Sequence, residues 1–356
     1  MPRTHRRPTL LLILLTLGGA AASTAVSPAS PADRASPVSL GTCATPEFRQ
    51  LPPPTPASPW AQRGGAADCS ASANNPAPEY EPANGLYTVR VAVHVIMDSQ
   101  CVDGDIPDAM VQTQIDILNE DFLALPGSNG APGADSQIRF ELATEDPDGL
   151  PTSGITRHCD DTWFADDGDY WQSIAWDPSR YLNLYSNSAG GARGYVPFLP
   201  ASSNSMIGDP SDRVVVNWQA FGTDGPVPAH QLGRTATHEI GHYLGLWHVF
   251  FGGCGIATPP DCYTTGDLLC DTAPDDAASD LCPIGATSCG GVPVPIENYM
   301  EYTDDDCMTG FSAEQGLRMR CTLMHYRPGV FTASSPALFT DGFETGDTSA
   351  WSHVVL

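Results

Sequence analysis

The stretch His238-Glu239-Ile240-Gly241-His242-Tyr243-Leu244-Gly245-Leu246-Trp247-His248 constrains this chain more than any other. On a helix, residues four apart lie on one face, one turn above the other. His238 and His242 are so spaced, and two imidazoles in that relation chelate one metal ion. Glu239 is carried to the adjacent flank, where its carboxylate reaches a metal-bound water without ligating the metal. Glycine takes the left-handed conformation that ends helices, so the helix should stop at Gly245. The turn then brings His248 back to the same ion. Three neutral histidines leave one position of a tetrahedral zinc open, the catalytic rather than the closed structural arrangement.

A bare HExxH is a weak signal, and many such matches are solvated helix faces. The glycine and third histidine at fixed offsets strengthen it. So does Asn298-Tyr299-Met300-Glu301-Tyr302 downstream, which resembles the Met-turn of the metzincins. Alone, Met300 would read as an ordinary core methionine. With the zinc motif it is the expected floor beneath the three imidazoles.

Three more stretches narrow the resemblance. Gly233-Arg234-Thr235-Ala236-Thr237 precedes the motif, Phe251-Gly252-Gly253-Cys254 follows it, and Asp304-Asp305-Asp306-Cys307-Met308 follows the Met-turn. With Trp176-Asp177-Pro178-Ser179-Arg180-Tyr181-Leu182-Asn183 they resemble the pappalysin family, in particular its small secreted bacterial and archaeal members. The similarity runs from about Tyr87 to about Arg320. It implies a zinc-dependent endopeptidase of the metzincin type, with protein or peptide substrates.

Composition fits an exported protein. Arg3, Arg6 and Arg7, the apolar run Leu10 to Leu17 and Ala20-Ala21-Ala22 form a secretory signal pattern over residues 1–22. The apolar run is too short to span a bilayer comfortably, so no membrane insertion is expected. The formal net charge of −26 makes nucleic acid an unsuitable partner and favours basic peptides and divalent cations. All 16 basic side chains are arginine, which excludes lysine-dependent chemistry such as Schiff bases and P-loops. Eleven cysteines in an exported chain imply disulfides with one thiol left over, and Cys43 is the candidate.

Residues 23–80 are rich in Ala, Pro, Ser and Thr and read as an extended propeptide and linker. Thr42-Cys43-Ala44-Thr45-Pro46 resembles the cysteine motif of the family's propeptide, with Ala44 where a glycine is usual. The resemblance implies a latency switch, Cys43 filling the open zinc position; a spare or dimer-forming thiol is the other reading. The catalytic domain is expected over 81–330, its upper part ending near 245, with a tail at 331–356. Alternation of Tyr87, Val89, Val91, Val93 and Val95 predicts a strand. Pro107-Asp108 starts a helix carrying Val111, Ile115, Leu118 and Phe122 on one face. Further strands are expected at Ile138–Leu142, Tyr181–Tyr185 and Val214–Trp218. Gly194-Tyr195-Val196 reads as a short edge strand, the usual place for a peptide to add itself to a sheet. The active-site helix should run from about Leu232 to Leu244. The fold expected is α+β: a twisted mixed sheet, a long backing helix, the active-site helix, and an irregular, disulfide-rich C-terminal subdomain. His94, His158, His230 and His325 lack ligand spacing and read as surface or satisfied core histidines.

The resemblance also implies Cys254–Cys289 and Cys282–Cys307 disulfides. Cys262 with Cys270, Cys101 with Cys159 and Cys69 with Cys321 complete one of several pairings that the sequence leaves open. Asp267 and Thr272 fall where small family members ligate calcium, though a merely solvated acidic loop has the same composition. By the same resemblance Glu239 is the general base and acid, and Tyr302 stabilises the developing oxyanion. Asp305 would select Arg or Lys after the scissile bond, with Asp304 and Asp306 as equally acidic neighbours; Gln62-Arg63 then becomes a self-cleavage bond. Phe339–Trp351 reads as a sorting tag or an inert extension. The competing function is a catalytically dead extracellular binding or adhesion protein on the same scaffold. Such a protein would commonly have lost Glu239 or a ligand, and none is missing.

Overall fold

A computed structural model describes residues 40–46, 69, 78–200 and 206–334. The secretory signal, the Gln62-Arg63 bond and the Phe339–Trp351 tail lie outside the described residues.

One long strand organises the sheet. β1 (Leu86–Met97) alternates β-branched and polar residues and buries nearly all of them. It is long enough to pair four strands. On one side lie β2 (Ile138–Leu142) and β3 (Ile155–Cys159), both parallel. On the other lie β4 (Leu182–Asn187), parallel, and β9 (Phe331–Ser334), antiparallel. β6 (Val214–Asn217) continues the sheet parallel to β4, and β5 (Gly194–Tyr195) closes it as an antiparallel edge. The Gly194-Tyr195-Val196 segment is thus the edge strand expected. The residues expected to begin the tail, Phe331–Ser334, are a paired strand of this sheet.

Two helices back the sheet. α1 (Asp108–Phe122) buries Val111, Ile115, Leu118 and Phe122, the expected face. α4 (Arg234–Tyr243) is buried along its whole length and packs on β5, β6 and α1. Short helices α2 (Asp161–Phe164) and α3 (Trp171–Ile174) lie between β3 and β4. Below α4 the chain from 249 to 310 forms one turn of 3-10 helix (Asp261–Tyr263) and a hairpin of two-residue strands, β7 (Thr287–Ser288) with β8 (Val292–Pro293). Disulfides Cys254–Cys289, Cys262–Cys270 and Cys282–Cys307 replace a core there. Cys101–Cys159 and Cys69–Cys321 complete the set, leaving Cys43 as the free thiol among the described residues. The final helix α5 (Ala313–Tyr326) opens on a capping box of Ser312 and Gln315. No helix among the described residues is long and apolar enough to cross a membrane.

Asp121 ties these parts together at the end of α1. Its carboxylate is fully buried and accepts from Arg234 Nη2 at 3.2 Å, Thr237 Oγ1 at 2.6 Å and the Tyr299 hydroxyl at 2.7 Å. Burial lifts its pKa to about 6 against the opposing pull of Arg234. His94, in β1, is also fully buried; its nitrogens pair with Thr156 Oγ1 and Asn183 Oδ1, both at 2.8 Å. It is the satisfied core histidine expected, and burial lowers its pKa to about 3.

Two predictions follow from these buried groups. Asp121→Ala leaves the Arg234 guanidinium buried and without its carboxylate, a loss of about 3–5 kcal/mol. Urea unfolding of the disulfide-intact chain should show it as a lower midpoint at unchanged slope; a midpoint within error of wild type contradicts it. His94 takes up its proton only in the unfolded state between its ordinary pKa and about 3, so it favours the folded state above that window and this contribution is lost as pH falls. From pH 6.5 to 4.5 the loss is about 2 kcal/mol. His94→Gln should flatten the pH dependence of stability by that amount, and an unaltered dependence contradicts it.

Candidate active site

Arg234–Tyr243 forms a helix whose inner face carries His238, Glu239 and His242. The helix ends as the glycine requires. Gly245 has φ of +94° and Leu246 N–H donates back to Gly241 O at 3.0 Å. The reversal delivers His248 beside the first two imidazoles. The three Nε2 atoms lie 3.0, 3.1 and 3.2 Å apart. Such spacing suits three nitrogens each about 2.0–2.1 Å from one zinc ion. His238 Nδ1 donates to Tyr299 O at 2.7 Å and His242 Nδ1 to Leu246 O at 2.8 Å. These bonds fix the tautomer that points the Nε2 lone pairs inward. Burial drives all three pKa values down, His238 to about 4, so the rings are neutral as metal ligands must be. The donor set therefore fits zinc.

The Met-turn lies beneath. Asn298 Oδ1 accepts Met300 N–H at 2.9 Å, while the Asn298 amide exchanges two 3.0 Å bonds with Gln315 of α5. Met300 is fully buried under α4. A side-chain carbon at Gly241 would sit 2.5 Å from Met300 Sδ, which explains the glycine inside the motif. The Tyr302 ring packs on His248 at 4.8 Å and on His238 at 5.8 Å. Its backbone N–H is held by Glu301 and its carbonyl by Arg193 Nη1 at 3.2 Å.

The upper rim is the stretch from Gly191 to Val196. Asn217 holds it from behind, donating from Nδ2 to Ala192 O at 2.9 Å. Gly194 lets it close on the helix, since a side chain there would meet Glu239 Cγ at 2.7 Å. Residues 40–46 run along this rim. Gly41 N–H donates to Gly191 O at 2.8 Å, Arg193 N–H to Gly41 O at 3.2 Å and Ala44 N–H to Gly194 O at 3.0 Å, the spacing of a parallel ladder. Cys43 Sγ then falls among the three imidazoles, the four ligand atoms all within 4.8 Å of one another. Thr45 Oγ1 donates to Glu239 Oε2 at 3.0 Å and accepts Val196 N–H at 3.0 Å. The Tyr302 hydroxyl donates to Cys43 O at 3.3 Å. Glu239 is 1% exposed, and burial raises its pKa to about 8.

Asp305 lines the recess beside Glu239 and Tyr302. One of its oxygens is already engaged: Oδ2 accepts Leu232 N–H at 2.9 Å and Arg234 N–H at 3.3 Å, at the start of α4. His230 shares this recess, which its sequence context did not suggest, because it carries no ligand spacing. Asp304 and Asp306 do not line it. Asp267 and Thr272 sit apart, lining a small cavity of the lower loops. Asp267 Oδ2 is buried without a hydrogen-bond partner, and burial raises the carboxyl pKa to about 7. Arg318 donates to the Asp267 carbonyl from Nη1 at 3.3 Å.

Comparison with known proteins agrees with this geometry. A family model for peptidase M43, described as pregnancy-associated plasma protein-A, matches residues 167–324. An extracellular metalloprotease of Pyricularia oryzae is 34% identical over 251 residues, 68% of this chain and 77% of that protein. Extracellular metalloprotease 1 of Coccidioides posadasii is 33% identical over 249 residues, covering 68% and 78%. Among solved structures, mature mirolysin of Tannerella forsythia in complex with a cleaved peptide is 30% identical, with a TM-score of 0.57 over 69% of this chain and 95% of that one. Promirolysin from the same organism, in a mutant form, gives 29% identity and the same TM-score of 0.57. The family model spans the active-site helix and the 298–302 turn, and with the relatives it shows that the chain belongs to the pappalysin family of metalloproteases.

Proposed function

We propose that the chain is a secreted zinc endopeptidase, made as a latent precursor, that cuts before Arg or Lys. The observation that carries this reading is the convergence of three neutral Nε2 atoms beside a buried carboxylate, with Cys43 Sγ in their midst. Export is supported by the relatives, which are named as extracellular. The chain would then comprise a signal at 1–22, a propeptide and linker at 23–80, the catalytic domain at 81–330 and a tail at 331–356.

Zinc held by His238, His242 and His248 would supply an activated water near neutral pH and polarise the scissile carbonyl. Glu239 takes the water proton and hands it to the leaving amine, the task of a carboxylate beside the open metal position. Tyr302 already donates to a backbone carbonyl in the cleft, that of Cys43, which supports its role as a donor to the developing oxyanion. Met300 supports the imidazoles from below. The rim at 191–196 offers backbone groups that align a peptide as an added strand.

The segment at 40–46 blocks each of these functions at once. Cys43 would complete the zinc coordination as a thiolate, Thr45 occupies Glu239, and the backbone covers the rim. Asp305 Oδ1 lies outside the helix-terminal bonds and the residue lines the recess, which supports Asp305 as the carboxylate that receives a basic side chain. Self-cleavage at Gln62-Arg63 is consistent with that preference. Asp267 and Thr272 are proposed calcium ligands, since a buried, unpaired carboxylate oxygen beside a hydroxyl is chemistry that a hard cation satisfies.

Freshly purified full-length chain should hydrolyse a quenched peptide with an internal arginine poorly. Cys43→Ala should be active at once, by about 100-fold or more given the effective concentration of a tethered ligand, or be recovered self-degraded. A zinc chelator should abolish activity in both. Latency unchanged in Cys43→Ala contradicts the switch, and activity indifferent to chelator contradicts the peptidase reading. Calcium at a hundred times its Kd should stabilise the protein by about 2.7 kcal/mol, read as a rise in Tm that Asp267→Asn removes. No calcium-dependent rise in wild type, or the same rise in the variant, contradicts that assignment.

A further inference from the structure

His230 stands in the substrate recess without a part in the chemistry described so far. It ends the short turn Pro228–His230 just ahead of α4 and is 5% exposed. The turn is built onto Asp305. Asp305 N–H donates to Ala229 O at 2.9 Å, and Asp305 Oδ2 accepts the Leu232 and Arg234 amides. These bonds place the imidazole Nδ1 3.5 Å from Asp305 Oδ1, the oxygen that they leave over. Both side chains line the same recess as Glu239 and Tyr302.

We propose that His230 is a specificity-determining residue, setting through its own charge the net charge that Asp305 presents to the substrate side chain after the scissile bond. The inference rests on the reading of Asp305 as the selecting acid. With a neutral imidazole the recess holds an uncompensated carboxylate and favours a guanidinium or ammonium group. With an imidazolium the two form an internal ion pair, and the advantage of a basic side chain over an uncharged one disappears. The preference therefore follows the protonation state of the imidazole, and with it the pH.

The other charged or titratable groups facing the recess are Cys43, Arg193, Arg234, His238, Glu239, Glu301 and Tyr302. Arg193 is held by Tyr302 O and Asp280, Arg234 by Asp121 and Leu232 O, and Glu301 by the Ser279 and Tyr302 amides. Glu239 and Tyr302 serve the chemistry, which is common to every peptide cut. Two substrates that differ by one charge at one position share the chemical step, while Glu239 and Glu301, whose pKa values burial raises to about 8, act on that charge in every variant alike. The difference between wild type and His230→Gln in the ratio of kcat/KM values therefore isolates the His230–Asp305 pair.

The test uses matured enzyme and two quenched peptides, identical except for arginine or citrulline after the scissile bond. Citrulline keeps the shape of arginine without its charge. For wild type, the arginine-to-citrulline ratio should be high at pH 8 and fall by about tenfold or more at pH 5.5, as expected for cancelling one charge within a few ångströms. His230→Gln should hold the ratio high at both pH values, and His230→Arg should hold it low at both. A wild-type ratio that is flat from pH 5.5 to 8 overturns the proposal without recourse to any variant. So does a His230→Gln ratio that falls with acid as wild type does. Equal cleavage of both peptides at pH 8 removes Asp305 as the selecting group and overturns the proposal with it, while leaving the peptidase reading intact. Cleavage of neither peptide overturns both.

Discussion

The Asp121 carboxylate is the interaction on which the rest of the site depends. It lies at the end of α1 and binds Arg234 and Thr237 of the active-site helix and Tyr299 of the Met-turn. Tyr299 in turn receives His238 Nδ1 on its carbonyl. One buried charge thus fixes the backing helix, the helix that carries two imidazoles and the floor beneath them. Catalysis with a bound metal needs ligands preorganised to a fraction of an ångström, and such order comes from outer partners that are themselves locked. A hydrophobic contact in that position would supply area without direction. The cost is a charge with little water around it, visible in the raised pKa of Asp121.

The cleft is built from two unlike halves. Above it, β5 and β6 are part of a continuous sheet with an apolar core. Below it, three disulfides and backbone–side-chain bonds hold loops that have little core of their own. The upper half presents a regular edge to which any extended peptide can add. The lower half contributes individual side chains to the recess, Tyr302 and Asp305 among them. Backbone pairing above and side-chain recognition below is the usual division between affinity and specificity when a peptide is added as a strand. The 40–46 segment pairs its backbone with the upper rim while its cysteine reaches the imidazoles and the Cys43 carbonyl accepts from Tyr302 below.

Much of this was legible in the sequence, for physical reasons. Period-3.6 spacing marked α1 because one face of it is buried, and period-two alternation marked β1 although both of its faces are buried. The glycine after the HExxH helix announced the reversal that returns His248. Other parts carried no such signal. β3 contains Arg157 and His158 and is only partly buried, so its pattern is not that of a core strand. α5 turns Arg318 and Arg320 inward, where they donate to backbone carbonyls, so two charged residues are buried alongside Met319 and Leu323. β9 is four residues long and lies across the chain from its partner β1. The roles of Asp121 and His230 are tertiary throughout: each is defined by residues more than 70 positions away, and nothing adjacent to it in the chain records the contact.

X-ray absorption at the zinc edge, recorded on the purified full-length precursor, tests the central claim most directly. Three imidazole nitrogens near 2.0–2.1 Å and one sulfur near 2.3 Å are the shell that the account predicts. The sulfur should vanish in Cys43→Ala, replaced by a light-atom ligand, with the three nitrogens unchanged. A protein that carries no stoichiometric zinc, or a shell with more than one sulfur or fewer than three histidines, would contradict the account.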